Sequence, residues 1–123
     1  MSTPINIIGG TDIGSAQVAA AADSAWTALT VAGGDFVSTV TGAAVETGVI
    51  SQVVALNRDE SAGVWIALRS MTDEALSASV GACYIPAAGS LELNVEGMGV
   101  TAVSVASETE GAVVSLVAFF MPR

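Results

Sequence analysis

The seven residues SLELNVE, numbered 90–96, alternate strictly between apolar and polar side chains. In an extended strand, this period of two places Leu91, Leu93 and Val95 on one face. Glu92 and its polar neighbours then lie on the opposite face. The stretch therefore predicts a half-buried strand, with one face towards a core and the other towards solvent.

A second stretch, GVWIALR at residues 63–69, has the same alternation. It places Val64, Ile66 and Leu68 on the inward face, and Trp65 on the opposite face. Two strands of this kind, about 20 residues apart, are typical of an antiparallel sheet with one face buried.

Outward from these two stretches, short runs of Val, Ile, Thr, Leu and aromatic residues recur between Gly, Pro, Asn, Asp and Ser. The predicted strands are residues 26–32, 35–41, 49–56, 62–70, 75–85, 90–96, 100–106 and 112–120. About eight short strands without long helices between them predict an all-β fold, an antiparallel β-sandwich of jelly-roll type. A parallel α/β fold needs a helix between successive strands, and the sequence offers none.

The stretch GSAQVAAAADSAW, residues 14–26, does not fit this strand pattern. Its alanines favour a helix, and Ser15 is a suitable N-cap. The alternatives are one or two helical turns, or an extended segment whose alanines lie flat against a neighbour. We favour a segment that is not helical or only briefly helical.

The residues that precede it carry three isoleucines, Ile5, Ile7 and Ile8, between glycine and polar residues. We predict a flexible N-terminal arm over residues 1–25, with these isoleucines as an apolar clip for a neighbouring subunit. Residues 26–123 then form a single β-sandwich domain, as the length of the chain suggests.

The charge of the chain is strongly acidic, with 12 Asp and Glu, three Arg, no Lys and no His, for a net charge of −9. Nucleic acids and anionic membranes attract basic patches, so neither is an expected partner. The longest apolar run, residues 112–121, is too short for a spanning helix, which needs about 20 residues. The first residues also lack the basic start of a secretory signal.

Catalytic chemistry has few candidates in this sequence, because His and Lys are absent and Cys83 has an apolar neighbourhood typical of a small core residue. One Cys without His cannot complete a four-ligand zinc site, and no calcium-loop motif occurs. The acidic pairs Asp59/Glu60, Asp73/Glu74 and Glu108/Glu110 fall in predicted turns, where solvated carboxylates are common. We therefore expect no enzymatic activity and no cofactor.

The outward faces consist mainly of small neutral residues, which suits packing against other subunits because few charges need desolvation. Trp65 is the best candidate for an interface anchor, with a second core layer as the alternative. At the end of the chain we expect Phe119 to point inward. Phe120 and Met121 are then expected to be partly available for contacts.

The second half of the chain carries a sequence of short elements in a fixed order. A strand with an aromatic residue is followed by Tyr84-Ile85-Pro86, then Gly89, Leu91 and Leu93, a glycine turn, the run Val103 to Ser107, and a last apolar strand. In this order the elements resemble the small β-sandwich virion proteins of tailed phages and gene transfer agents, over about residues 62–121. The resemblance implies a virion structural role without an active site, in which the protein acts through oligomerisation and contact with the major capsid protein.

The favoured interpretation is thus a capsid decoration (cement) protein, a homotrimer on the exterior of a phage head, made in the host cytoplasm. An acidic, lysine-free exterior suits it, because many exposed copies repel one another and stay soluble. The alternatives are a tail or spike adhesin that binds a host surface, and a non-viral β-sandwich interaction module.

Overall fold

The computed structural model describes residues 12–22, 25–71 and 82–121. Within these residues the chain forms ten strands, and every strand pairing is antiparallel. The strands are β1 (Asp12–Ala19), β2 (Thr27–Thr30), β3 (Phe36–Ser38), β4 (Ala44–Val45), β5 (Val49–Asn57), β6 (Val64–Ala67), β7 (Cys83–Ile85), β8 (Ser90–Asn94), β9 (Ala102–Ala106) and β10 (Val113–Met121). The prediction of an all-β, antiparallel β-sandwich is confirmed.

The strands form two sheets that enclose one core. The large sheet has six strands in the order β4-β3-β1-β10-β5-β8, and the small sheet has four in the order β2-β9-β6-β7. Alternate residues of each strand point into the space between the sheets, as the period-two pattern requires. In β10, for example, Val114, Leu116 and Ala118 are buried, and the residues between them are partly exposed.

The centre of the large sheet is built from β1, β10 and β5. Strand β1 pairs with β10 over eight residues, from Asp12 opposite Phe120 to Ala19 opposite Val113. On its other side β10 pairs with β5, and the register shifts at a bulge between Phe119 and Phe120. The last strand of the chain is therefore an interior strand of the sheet.

At one end of the core, Phe120 meets Phe36 edge to face, with ring centroids 5.6 Å apart and an interplanar angle of 71°. Both rings are almost fully buried. Gly14 lies beneath them, and a Cβ at that position would come within 2.8 Å of the Phe120 ring and 3.2 Å of the Phe36 Cβ. A glycine in β1 is thus required by the close approach of side chains from its two neighbouring strands, β3 and β10.

The boundary predicted between the arm and the sandwich is wrong. Residues 12–19, assigned to the arm, form β1 in the interior of the large sheet, which leaves residues 1–11 for the predicted arm. The small residues of β1 gave no visible alternation, although its inward positions Ala16 and Val18 pack against the core. Strand β4 was also missed, so the described residues hold ten strands where about eight were expected.

The outer side of the small sheet is partly covered by its own chain. Ser104 on β9 is fully buried there, and its hydroxyl donates to the carbonyl of Arg69 at 2.6 Å and accepts from the amide of Met71 at 2.9 Å. The segment 69–71 therefore lies across β9. The Met71 side chain in this segment is buried. Among the described residues, no helix is long and apolar enough to cross a membrane.

Candidate interaction surfaces

The side of the large sheet that faces away from the core is an apolar surface. We call it the outer face of the large sheet. Its apolar members are partly or fully exposed and come from β1, β3, β5 and β10: Ile13, Val37, Val54, Leu56, Val113, Val117, Phe119 and Met121. Val37, Leu56 and Met121 are exposed by 43%, 38% and 37%.

The strand register aligns these residues in rows across the sheet. One row runs from Val37 through Ser15, Val117 and Val54 to Glu92 on the edge strand β8. No charged residue occurs in β5, in β10 or in β1 beyond Asp12, so the strands at the middle of the outer face contribute only uncharged side chains to it. Burial of this area against another protein would require desolvation of few charged groups, chiefly the Arg58 guanidinium that reaches Ser115.

A small polar group lies in the middle of this apolar surface. The Ser115 hydroxyl on β10 accepts a hydrogen bond from Arg58 Nε at 3.1 Å and one from Gln17 Nε2 at 3.3 Å. Arg58 follows β5 directly, and this bond draws its side chain over the outer face. Ser115 and Gln17 also line a shallow depression of about 460 Å³ beside Val37 and Asp35.

The edges of both sheets are short strands. Strand β4 has two residues, β7 three, β2 four and β8 five. Such edges offer few backbone groups for the addition of another strand, and on β8 Glu92 further discourages edge-to-edge pairing. Among the described residues, contact through a sheet face is therefore better supported than strand addition.

The second candidate surface lies on the outer side of the small sheet, which segment 69–71 covers only in part. Trp65 on β6 and Tyr84 on β7 are direct cross-strand partners that point away from the core. Their rings are tilted by 58°, with centroids 5.0 Å apart. Tyr84 is 53% exposed, and its phenol lies over Gly63, where any Cβ would overlap it. The absence of a side chain at position 63 thus allows this ring position.

The loop that follows β5 forms one wall of a pocket beside these rings, and Asn57 holds this loop in place. Asn57 is only 2% exposed. Its Nδ2 donates to the carbonyls of Ala62 at 2.8 Å, Pro86 at 3.0 Å and Ile85 at 3.3 Å. Its Oδ1 accepts from the amide of Asp59 at 3.0 Å. One buried amide therefore connects the loop to the turn between β7 and β8.

Within the same loop, the Asp59 carboxylate accepts hydrogen bonds from the amides of Ser61 and Ala62, both at 2.9 Å, and from the Ser61 hydroxyl at 3.1 Å. These bonds, with the Ser61 amide as the largest contribution, hold the pKa of Asp59 below its ordinary value because they stabilise the ionised form. The carboxylate organises a turn.

The acidic pairs considered for chemistry have different positions in the structure. Asp59/Glu60 and Glu108/Glu110 lie in loops, as predicted, and Asp73/Glu74 fall outside the described residues. Within the described part of the chain, no group of three or more Asp, Glu, Cys or His side chains is placed to hold a metal ion. Cys83 is partly buried and packs against the core.

The predicted interface residues have different outcomes. Ile5, Ile7 and Ile8 lie outside the described residues. Trp65 faces outward from the small sheet, half-buried against Tyr84, and its role as an anchor stays a prediction. Met121 is exposed at the end of the outer face of the large sheet.

The prediction for Phe120 is wrong, because its side chain is 2% exposed and belongs to the core. Phe119 takes the outward position that had been assigned to its neighbour. The sequence missed the exposed aromatic Tyr84 as a member of a site. Tyr84 belongs to the site because it lies opposite Trp65 in the pairing of β6 with β7. That pairing depends on a strand register that the sequence does not reveal.

No protein-family model and no curated protein sequence matches this chain. Among solved structures, the Tobacco streak virus coat protein is similar over 98% of this chain and 91% of that chain, with 11% sequence identity and a TM-score of 0.48. A structure of Bacillus endospore appendages, described as disulfide-linked pili, is similar over 100% of both chains, with 16% identity and a TM-score of 0.41. Similarity at this level assigns neither a function nor a partner to the present chain.

Proposed function

We propose that this protein is a structural subunit that binds to the exterior of a larger protein shell, as a capsid decoration protein on the head of a tailed phage. The single observation that carries the proposal is the largely apolar outer face of the large sheet, where apolar side chains from four neighbouring strands remain in contact with water. A contiguous apolar face of this kind typically marks a protein contact.

The size of this face bears on the kind of assembly that it supports. Strands β1, β10 and β5 lie about 4.8 Å apart, and eight residues extend about 26 Å, so their footprint is on the order of 400 Å². A stable interface of standard size buries about 800 Å² on each partner. The face alone therefore supports a weak contact, which becomes strong when several contacts are made together on a repeating surface.

The N-terminal arm is the proposed second contact. Residues 1–11 precede β1, and Ile5, Ile7 and Ile8 each contribute roughly 1.5–3 kcal/mol if buried in a neighbour, before ordering costs. Removal of residues 2–11 leaves all of β1 in place, and a longer deletion would cut into its ladder with β10. The arm deletion should therefore weaken attachment to the shell without loss of the fold.

Location on the particle is the first test of the proposal. Immunogold electron microscopy of particles purified from the source should show even labelling over the heads if the protein decorates the capsid. Labelling confined to a tail tip or vertex would indicate the adhesin alternative. Complete absence of labelled particles would refute the virion role and leave a non-viral interaction module.

The contact surface is tested by a charge placed at the centre of the outer face. Val117→Lys should lower binding to depleted heads roughly tenfold or more, because burial of an unpaired ammonium costs more than about 1.4 kcal/mol. Met98→Lys is the matched control, since Met98 is 66% exposed in the turn after β8. Unchanged binding of Val117→Lys, with its thermal stability intact, would rule out this face as the contact.

The proposed partners are the major capsid protein and further copies of this chain, arranged as a homotrimer on the shell. Sedimentation velocity of the free protein tests the second part of this statement. Because the face is smaller than a standard interface, we expect the free chain to associate weakly and the trimer to form on the particle. A tight trimer in dilute solution would require a larger interface than the outer face supplies.

A further inference from the structure

The pocket beside the Trp65–Tyr84 pair has the features of a binding site that the shell contact does not use. Its volume is about 290 Å³, and it opens between the loop after β5 and the turn after β9. The residues that line it and matter for the argument are Ser61, Gly63, Trp65, Tyr84, Glu108 and Thr109. It lies on the small sheet, on the opposite side of the sandwich from the outer face of the large sheet.

The aromatic pair is available to a ligand. Both rings point away from the core, and Tyr84 is 53% exposed. The pocket walls are fixed by hydrogen bonds within the chain. The Ser107 hydroxyl donates to the carbonyl of Gly63 at 2.8 Å and accepts from the amide of Thr109 at 3.1 Å, which joins the two loops. Asn57 also holds the loop after β5 through its bonds to Ala62 and Asp59. The pocket is therefore largely preformed, which lowers the entropic cost of binding.

The charges around the pocket are negative. Glu108 contributes to its lining, Glu110 follows in the same turn, and Glu60 precedes Ser61 in the opposite loop. The nearest basic residue in that loop, Arg58, has its Nε bonded to Ser115 on the other sheet. A carboxylate beside two aromatic rings offers a cation both an opposite charge and the electron-rich face of a ring.

We propose that this pocket binds the cationic side chain of an arginine or lysine presented by another protein. A ring tilt of 58° produces a notch rather than the flat platform on which a sugar ring stacks, and a notch suits a compact cationic group. The chain itself has three arginines and no lysine, and the proposed ligand is a basic side chain of a separate protein. The pocket's affinity for a cation does not depend on the decoration role.

The test is an NMR titration of the isolated protein, in which the ring signals of Trp65 and Tyr84 are followed. The probes are N-acetyl-arginine amide, N-acetyl-lysine amide, the neutral isostere N-acetyl-citrulline amide, and a methyl glucoside. We expect saturable shifts with arginine and lysine in the millimolar range, on the order expected for one cation–π contact beside a carboxylate. Citrulline should bind roughly fivefold more weakly or not at all.

Glu108→Gln should weaken arginine binding roughly fivefold, because it removes the opposite charge and keeps the shape of the side chain. Glu110→Gln is the matched control, which changes the same charge in the same turn outside the pocket lining, and should leave binding nearly unchanged. Tyr84→Leu should reduce binding further through loss of the ring. Equal binding of arginine and citrulline, shifts with the glucoside alone, or no shift with any probe would overturn the proposal.

Discussion

Replacement of Asn57 by alanine would remove the amide that connects the loop after β5 to the turn between β7 and β8. Three carbonyl oxygens surround Nδ2, and a backbone amide faces Oδ1, so the orientation of the side chain is fixed by its partners. At 2% exposure, Asn57 has little access to water. The carbonyls left behind would be partly buried and without their present donor.

The magnitude of this effect follows from the individual contacts. The bonds to Ala62 and Pro86, at 2.8 and 3.0 Å, are well formed, and the contact to Ile85 at 3.3 Å is weaker. A buried group that loses its partner costs about 1–3 kcal/mol, so two strong bonds and one weak one give a loss of about 3 kcal/mol. For a domain of this length, such a loss lowers the Tm by about 10 °C.

Thermal and urea unfolding, followed by circular dichroism, measure this loss directly. Asn94→Ala is the matched control, because the Asn94 Oδ1 accepts from the amide of Glu96 at 3.1 Å in a similar turn, while its side chain is exposed. We expect the control to cost less than about 1 kcal/mol. If Asn57→Ala is no more destabilising than Asn94→Ala, the buried amide does not hold the loop as described.

Two further predictions concern the core and the response to acid. Phe120→Ala should destabilise the protein by about 3–5 kcal/mol, because it leaves a cavity against Phe36. Phe119→Ala, on the outer face, should cost only about 1 kcal/mol. Similar urea midpoints for the two variants would contradict the assignment of Phe120 to the core and Phe119 to the outer face. The lowered pKa of Asp59 contributes stability that is complete above its ordinary value of 3.8 and is lost as the pH falls through the folded-state value. Asp59→Asn should therefore flatten the fall of Tm below about pH 4, and an unchanged acid limb in differential scanning calorimetry would show that its hydrogen bonds do not contribute.

The sequence predicted the strands that have one polar face. SLELNVE and GVWIALR show a period of two because each has one face towards the core and the other towards solvent or a partly open surface. Strand β1 lacked this signal, since Gly14 and Ala16 are small where they pack beneath larger side chains. Alanine-rich composition then favoured a helix or an arm, and tertiary packing overrode that local preference.

Strand β10 shows a second limit of prediction from sequence. Strand β10 is apolar on both faces except at Ser115, so its composition does not indicate which of Phe119 and Phe120 points inward. The bulge at this position and the space above Gly14 decide the matter, and both are properties of the assembled sheet. The aromatic pocket was missed for a related reason. Residues 68–82 connect the strand of Trp65 to the strand of Tyr84, and a connection of that length does not fix a strand register as a two-residue turn does.

The interior position of β10 also sets the order of events during protein synthesis. Until Val113–Met121 leaves the ribosome, the large sheet exists at most as two fragments, β4-β3-β1 and β5-β8, and each lacks its central neighbour. Strands β1 and β10 then pair along eight residues, a closure between distant parts of the sequence that slows folding. The large sheet is therefore completed only after Val113–Met121 has left the ribosome, and a ribosome stalled before Val113 would carry two exposed strand edges for chaperones to cover.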